Sequence, residues 1–243
     1  MICMDISIVI PTFNESKKVA DDIRDASKFF KNNNLTGEII VVDDGSKDNT
    51  VEVAKSVDVS PPTSIKVEHY TPHRGKGYAV RTGMKQTCGE YAMFADSGCC
   101  VPYENLLFGL DLIKTGQCDI AHGSRKMSGC HIQKKQSLYR RLCSAAFHWF
   151  VIHDMKIPAE FTDTQCGFKI YKGDIARRLY SECITDGFAF DIEIIMRAQK
   201  EGCYIKEFPI DWTCDRDTRL SAARTFRQVF SELMIIRRAL NKK

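Results

Sequence analysis

Short apolar segments that each end in a polar loop recur along the first 100 residues and alternate with segments of helical periodicity. Strands that alternate with helices in this way are typical of βαβ units, which build parallel sheets. Ligands of such sheets bind at the carboxyl ends of the strands. The loops after the four predicted strands are therefore expected to face one crevice. The strands are Ser7–Ile10, Glu38–Val42, Ile65–His69 and Tyr91–Ala95, and the loops are 11–15, 43–46, 71–77 and 96–100.

The pattern changes after residue 103, where longer helical segments and isolated strands are expected. Helices are predicted over Asn105–Thr115, Ser137–Met155, Gly187–Gln199 and 218–243, and strands over Asp119–Gly123, Thr162–Ile170 (with a leading loop) and Tyr204–Phe208. No repeat and no linker rich in proline or glycine divides the chain. We therefore expect a single α/β domain over residues 1–243. Its Rossmann-like, mostly parallel central sheet would be flanked by helices, with amphipathic helices toward the C-terminus.

The composition is that of a globular domain, since 44% of the 243 residues are hydrophobic and 27% are charged. This balance excludes disordered, collagen-like and coiled-coil chains. The net charge of +4 is too small to indicate a nucleic-acid partner. No apolar run approaches the roughly 20 residues that span a bilayer, so a cytoplasmic protein is expected. The 11 cysteines are accordingly expected to be reduced thiols.

Acidic residues follow the second predicted strand as Asp43 and Asp44, and Glu15 lies in the loop after the first. Carboxylates gathered at strand ends require a cationic partner or hydrogen-bond donors. A nucleotide with a bound metal ion supplies both, because base and ribose donate hydrogen bonds and the metal balances charge. The Asp-Asp-Gly-Ser sequence is also common in plain turns closed by an Asx cap. Both interpretations remain open on these residues alone.

A short glycine-rich segment, Arg74-Gly75-Lys76-Gly77, precedes a predicted helix over Tyr78–Thr87. Its spacing does not match the G-x-x-x-x-G-K-[ST] sequence of the P-loop. Two cations and two glycines before a helix N-terminus nevertheless suit an anion such as a phosphate group. A solvated turn explains the same residues equally well.

Six motifs then occur in a recognisable order: Ile8–Glu15, Val41–Thr50, Arg74–Arg81, Phe94–Asp96, Gly123–Arg125 and Asp163–Lys169. Together they resemble the inverting family 2 glycosyltransferases, and among these the branch that acts on polyprenyl and dolichyl phosphates. The resemblance spans residues 5–240. It implies a GT-A fold and single-displacement, inverting transfer of a hexose such as glucose, from a nucleotide sugar, expected to be UDP-linked, to a lipid phosphate. It also implies a nucleotide-binding half (1–100), an acceptor-binding half (101–215) and a C-terminal basic helix (216–243).

The resemblance assigns roles to individual residues. It implies that Asp96, Arg125 and Asp163 are catalytic, and that Asp96 is also the metal ligand. Arg140 and Arg141 are implied to bind the acceptor phosphate. A lipid phosphate is already an anion, so catalysis would consist mainly of holding two phosphorylated substrates and stabilising the leaving group. The residues implied to bind the nucleotide sugar are Pro11, Phe13, Glu15, Val42, Asp44, Lys76, Ala95, Ser97 and Gly98.

The loop after the fourth predicted strand departs from the family pattern, in which Asp-Ala-Asp-Gly stands at this place. The chain has Asp96-Ser97-Gly98-Cys99 there and lacks the second carboxylate. Mg²⁺ and Mn²⁺ prefer oxygen ligands. Either Asp96, the donor diphosphate and water molecules hold such an ion, or cations of the Arg74–Arg81 segment replace it.

Two amphipathic segments are candidates for contact with a membrane surface. Ser137–Met155 combines an apolar face with Arg140 and Arg141, and residues 225–243 end in a basic cluster. A basic helix with aromatic residues can lie in an anionic membrane interface. Such contact would place the protein on the cytosolic face of a membrane. Packing of both helices on the protein core explains the same pattern.

Two other functions remain open at this stage. A soluble saccharide, small molecule or protein could serve as acceptor, since no membrane span is predicted. A nucleotide-sugar-binding module without turnover would explain the carboxylate that is missing at Gly98. The sequence determines neither the sugar nor the oligomeric state.

Overall fold

A computed structural model describes residues 4–130, 147, 149–213 and 222–241, without the side chains of 222–227 and 241. Its strands are β1 (Ile6–Thr12), β2 (Gly37–Asp43), β3 (Thr63–His69), β4 (Tyr91–Ala95), β5 (Ile120–Ser124), β6 (Phe168–Lys172) and β7 (Ile205–Pro209). They form one sheet in the order β3-β2-β1-β4-β6-β5-β7. Neighbouring strands are parallel except at β6, which runs antiparallel to β4 and β5. The prediction of a mostly parallel α/β sheet is confirmed.

Helices flank this sheet along the chain. They are α1 (Val19–Asn32), α2 (Thr50–Ser56), α3 (Lys76–Met84), α4 (Asn105–Lys114), α5 (Gly173–Glu182), α6 (Phe190–Lys200) and α7 (Ala222–Asn241). The first helix begins at Val19, after Asn14 adopts a left-handed φ of 55° in the loop that follows β1. The fifth was not predicted, although Ile175, Ala176 and Leu179 are buried at helical spacing.

The core lies on both faces of the sheet. Along β1 and β2 the side chains point alternately to the two faces, with Val9 and Ile40 in one cluster and Ile8 and Ile39 in the other. Such continuous burial is typical of parallel strands that are covered by helices on both sides. Thr12 pairs with Asp43 in the register of β1 and β2. The loops that follow β1, β2 and β4 therefore leave the sheet at one edge.

Several predictions for the second half of the chain fall outside the described residues. Arg140 and Arg141 are among them, as is most of the predicted helix Ser137–Met155, of which 149–153 is helical. The last predicted helix is present as α7 from residue 222 onward. Among the helices that the structure describes, none is both long and apolar enough to cross a membrane.

Candidate active site

The carboxyl end of β4 carries an ion pair. Asp96 Oδ1 lies 2.5 Å from Nζ of Lys76, which stands in the first turn of α3. The Asp96 backbone N–H also donates a hydrogen bond of 3.0 Å to the carbonyl of Gly167. A side chain at Gly167 would collide with the Asp96 carboxylate. The glycine of the Asp163–Lys169 motif is thus needed where β6 approaches β4.

A second ion pair is buried near the first. Lys169 Nζ pairs with Asp191 Oδ1 and donates a hydrogen bond of 2.8 Å to the carbonyl of Thr164. Burial raises the pKa of Asp191, although the charges of Lys169 and Lys76 oppose that rise. Burial alone would lower the pKa of Lys76, but the charges of Asp96 and Asp191 outweigh it and raise the pKa. The Lys76 ammonium therefore stays charged at neutral pH.

Arg125, directly after β5, forms a bidentate pair with Asp163. Its Nε and Nη2 donate to the two carboxylate oxygens at 2.6 and 2.8 Å, and its backbone N–H adds a bond of 3.1 Å. Burial would raise the pKa of Asp163, but the hydrogen bonds and charge of Arg125 lower it. The carboxylate thus stays ionised and holds the guanidinium in one orientation. These two predicted catalytic residues are brought together by the fold.

Glu207 supports this pair from β7 and was not predicted. Its carboxylate accepts hydrogen bonds of 2.8 Å from the backbone N–H groups of Thr162 and Asp163 and one of 2.7 Å from the Thr162 hydroxyl. Glu207 therefore fixes the backbone of the segment that presents Asp163 to Arg125. The sequence of β7, IKEFP, also carries Lys206, so no local pattern singles out Glu207.

An open cleft lies between β4, β5 and the chain that follows β7. Trp212 forms one wall of it. The Arg125 guanidinium lies 5.5 Å from the centre of the Trp212 ring. The Thr213 N–H donates a hydrogen bond of 2.8 Å to the Cys100 carbonyl, which ties this wall to the loop after β4. The lining residues are Ala95, Asp96, Cys99, Cys100, Val101, Tyr103, Arg125, Cys166, Gly167, Phe168 and Trp212.

The loop after β4 is held by Asp22, a buried residue of α1 that was not predicted. Its carboxylate accepts hydrogen bonds from the Ser97 hydroxyl at 2.5 Å and from the N–H groups of Gly98 and Cys99 at 2.8 and 2.9 Å. Burial raises the pKa of Asp22, although these bonds oppose that rise. Ser97 and Gly98, predicted to bind the donor, are thus engaged with α1. Their contacts position Asp96 at the cleft.

The loops after β1 and β2 form a different environment. The two Asp44 oxygens accept hydrogen bonds of 2.7 and 2.8 Å from the N–H groups of Arg74 and Gly75. His73 Nδ1 lies 2.8 Å from Asp44 Oδ2, and its ring stacks on Phe13 with centroids 4.1 Å apart. Gly75 has a φ of 124°, a conformation that favours glycine. Asp44 thus fixes the glycine-rich segment and places an aromatic pair beside it.

The remaining predicted donor-binding residues differ in accessibility. Val42 is fully buried in the core, so its side chain is not accessible to a ligand. Pro11 is paired with Val42 in the register of β1 and β2. The Glu15 N–H donates a hydrogen bond of 2.9 Å to the Thr50 hydroxyl, and its carboxylate lies 3.5 Å from Lys18 Nζ. Ala95 lines the cleft.

The described residues offer one carboxylate of the cleft to a divalent ion. No three acidic, histidine or cysteine side chains in that part of the chain form a ready metal site. Asp96 is 40% exposed at the cleft, whereas Asp22 is committed to the loop and Gly98 has no side chain. Mg²⁺ is commonly held by one or two carboxylates together with substrate phosphates. Asp96 therefore fits an ion that arrives with a diphosphate.

Comparison with known proteins supports the same class of chemistry. Residues 7–180 match the family model "Glycosyl transferase family 2". Over 247 residues the chain is 31% identical to dolichyl-phosphate beta-glucosyltransferase of Homo sapiens, covering 96% of this chain and 74% of that protein. It is 30% identical to the Saccharomyces cerevisiae protein of the same name, with 96% and 74% covered.

Solved structures resemble this fold closely at low sequence identity. Glucosyl-3-phosphoglycerate synthase from Mycobacterium tuberculosis, in complex with Mn²⁺, UDP and phosphoglyceric acid, gives a TM-score of 0.72 at 18% identity, covering 96% of this chain and 78% of that chain. Mannosyl-3-phosphoglycerate synthase from Rubrobacter xylanophilus gives 0.70 at 17%, covering 98% and 75%. The Mycobacterium tuberculosis synthase is also solved in complex with Mg²⁺ and UDP. The predicted GT-A fold is confirmed, and the chain belongs to glycosyl transferase family 2.

Proposed function

We propose that this chain transfers glucose from UDP-glucose to a polyprenyl or dolichyl phosphate with inversion at the anomeric carbon. The names of its relatives support this acceptor, since several are dolichyl-phosphate beta-glucosyltransferases. The observation that carries the proposal is the pair of fixed cations, Lys76 and Arg125, whose partners Asp96 and Asp163 hold them at one end of the sheet. Two such cations suit a reaction between two phosphorylated substrates.

The reaction needs electrostatic help more than proton transfer. An oxygen of the acceptor phosphate attacks the anomeric carbon while the bond from that carbon to the diphosphate breaks, and its electron pair leaves with UDP. The attacking oxygen is already anionic, so no proton has to be removed. Lys76 and Arg125 oppose the negative charge of the diphosphate and the acceptor. Asp163 is a positioning residue in this scheme, since its lowered pKa and its bonds to Arg125 make it a poor base.

The nucleoside half of the donor is proposed to lie over the loops after β1 and β2. The stacked rings of Phe13 and His73 offer an aromatic surface for the uracil base. Asp44 holds the glycine-rich segment from Arg74 to Lys76 next to that surface. This arrangement supports the predicted division into a donor-binding half and an acceptor-binding half.

We propose that Asp96 would hold a divalent ion that arrives with the donor. Mg²⁺ or Mn²⁺ held there would supply positive charge to the departing UDP. Lys76 must share Asp96 with that ion, since its ammonium already contacts the carboxylate. Titration calorimetry of UDP with and without Mg²⁺ tests this assignment. We expect Mg²⁺ to increase the affinity of the wild type for UDP and to leave that of Asp96→Asn unchanged. An equal increase in the variant would contradict the assignment of Asp96 as the metal ligand.

We propose that the protein lies peripherally on a membrane, with the cytosolic face staying a prediction, and the outer surface of α7 supports the contact with lipid. Phe230 and Ile235 are exposed on it, at 44% and 55%, and Arg238 is exposed between them on the helical wheel. Apolar and basic residues on one outward face suit an anionic lipid surface. The predicted acceptor-phosphate role of Arg140 and Arg141 stays a prediction.

The direct test is product formation from UDP-glucose and a short polyprenyl phosphate in detergent. We expect UDP release and a glycosylated lipid phosphate only when both substrates are present. A panel of UDP- and GDP-sugars identifies the sugar and nucleotide. Lipid-independent release would instead indicate a soluble acceptor. Binding of UDP-glucose without any turnover across acceptors would contradict the proposal and indicate a binding module.

A further inference from the structure

Trp212 is more exposed than the other aromatic residues described in the lining of the cleft. The cleft contains the carboxylate of Asp96 and the guanidinium of Arg125, and the Trp212 indole forms a wall beside them. The ring is partly exposed, so a face of it remains available to a ligand. Tyr103 and Phe168, the other aromatic lining residues in the described part of the chain, are buried in the core.

Hydrogen bonds hold the backbone on both sides of Trp212. Directly after it, the Thr213 N–H donates a hydrogen bond of 2.8 Å to the Cys100 carbonyl. Directly before it, the Asp211 N–H donates one of 3.2 Å to the Asn105 side chain. The segment that carries the indole is therefore tied on both sides to the chain that follows β4, close to Asp96.

A hexopyranose has two kinds of surface. Its hydroxyl groups lie around the rim when they are equatorial, and its C–H groups form apolar faces above and below the ring. An aromatic ring can cover one such face while carboxylates and guanidinium groups bind the hydroxyls at the rim. The Trp212 indole, the Asp96 carboxylate and the Arg125 guanidinium supply both kinds of partner in one cleft.

We propose that Trp212 is the platform on which the hexosyl group of the donor packs, and that it favours hexoses with equatorial hydroxyls. This inference rests on the proposed function, because it assigns a place in the cleft to the group being transferred. It makes Trp212 a specificity-determining residue that contacts the sugar and leaves the nucleoside to other residues. An axial hydroxyl on the packed face, as in a galactosyl group, would separate the sugar from the ring.

Binding measurements with nucleotide and nucleotide sugar separate this role from a structural one. Trp212→Leu keeps an apolar side chain without the ring, and Trp212→Phe keeps a smaller ring. We expect Trp212→Leu to weaken UDP-glucose binding about tenfold and UDP binding less than about twofold, with Trp212→Phe between the wild type and Trp212→Leu. The preference for UDP-glucose over UDP-galactose should decrease in the same order. Thermal unfolding of each variant checks that the fold is retained.

Fluorescence gives an independent readout, because the chain contains only two tryptophans, Trp149 and Trp212. In a Trp149→Phe background, Trp212 is the sole tryptophan. UDP-glucose is expected to shift its emission to shorter wavelength and to protect it from a soluble quencher, whereas UDP alone is not. Trp149 lies outside the cleft lining, so the background variant should bind UDP-glucose as the wild type does.

The possible results separate the two claims. Equal weakening of UDP and UDP-glucose in Trp212→Leu, unchanged UDP-glucose binding, or an emission unaffected by UDP-glucose would overturn the role of Trp212 and leave the transferase proposal standing. Failure of the wild type to bind either UDP or UDP-glucose would overturn the transferase proposal, and the role of Trp212 with it.

Discussion

Carboxylates follow strands in two regions of this molecule, and they have different tasks. After β2, both Asp44 oxygens accept hydrogen bonds from backbone N–H groups of the neighbouring loop. After β4 and before β6, Asp96 and Asp163 instead pair with the cations Lys76 and Arg125. The first region uses negative charge to build a loop. The second uses it to hold positive charge at an open cleft.

This difference shows that position at a strand end does not define a residue's task. A carboxylate saturated by backbone donors is part of the scaffold, and its effect on a ligand passes through the loop that it shapes. A carboxylate paired with a side-chain cation sets the orientation and charge of that cation. Substitutions in the two regions should therefore differ in their effect on activity: donor binding in the first, turnover in the second.

The largest effect is expected from Arg125→Met. It leaves Asp163, which is 3% exposed, without its cation. Removing one partner of a buried pair costs about 3–5 kcal/mol of unfolding free energy. Urea unfolding followed by circular dichroism measures the loss. Arg125→Met combined with Asp163→Leu should recover much of it, and a double variant no more stable than the single one would contradict the pairing.

Asp96→Asn should have a large effect on turnover and a small one on stability. The side chain is 40% exposed, so its replacement leaves little buried charge. Loss of one electrostatic element of an active site lowers kcat by about 100-fold or more. The rate of UDP release under saturating substrates measures this. Asp21→Asn on the exposed side of α1 is the matched control, and a comparable loss in the control would indicate a nonspecific effect.

Asp44→Asn should act through the loop. The substituted amide can accept through its oxygen only, so one backbone N–H of Arg74 or Gly75 loses its partner. An unsatisfied buried donor costs about 1–3 kcal/mol. We expect a lower unfolding free energy and a higher KM for the donor, with kcat changed much less. A fall in kcat with no change in KM would place Asp44 with the residues that act on the transferred group.

The smallest predicted effect is on the pH dependence of stability and involves His122, which is fully buried next to the second region. Neither ring nitrogen has a hydrogen-bond partner among the described residues. Burial, with a contribution from Lys169, holds the pKa of His122 well below its usual value. Below about pH 6.5 the unfolded state therefore takes up a proton that the folded state does not, so stability falls as pH falls, by up to about 1.4 kcal/mol per pH unit.

His122→Leu removes this contribution to the pH dependence. Unfolding free energies of the wild type and the variant, measured at about pH 7.5 and about pH 5.5, should diverge by about 1–2 kcal/mol at the lower pH, with the variant losing less. Parallel pH dependences would show that His122 is protonated in the folded state. That result would add a charge to the second region and change its electrostatics.

Sequence reasoning succeeded where local patterns decide the structure. The apolar runs determine where β1, β2 and β4 end, so the loops that carry Asp44 and Asp96 were correctly placed at one edge of the sheet. The Gly123–Arg125 and Asp163–Lys169 motifs are far apart in the chain, and only their resemblance to a family connected them. The antiparallel pairing of β5 and β6 brings the two motifs together, and the loop before β6 then places Asp163 on Arg125.

The supporting residues could not be predicted in the same way. Asp22, Glu207 and Trp212 act on loops from distant elements, and no local pattern encodes those contacts. Asp22 does occupy a buried position of α1, between Val19 and Ile23. An acidic residue on a buried helix face is uncommon and marks a carboxylate with internal partners. That signal was visible in the sequence, although its partners were not.

The contrast between the two regions is tested most directly by measuring two quantities for Asp44→Asn and Asp96→Asn side by side. These are the affinity for UDP in the absence of metal and the rate of a single turnover with saturating UDP-glucose and polyprenyl phosphate. The account predicts that Asp44→Asn loses affinity but turns over at nearly the wild-type rate, whereas Asp96→Asn keeps its affinity and loses turnover. The reverse assignment, or equal losses of both quantities in both variants, would contradict it.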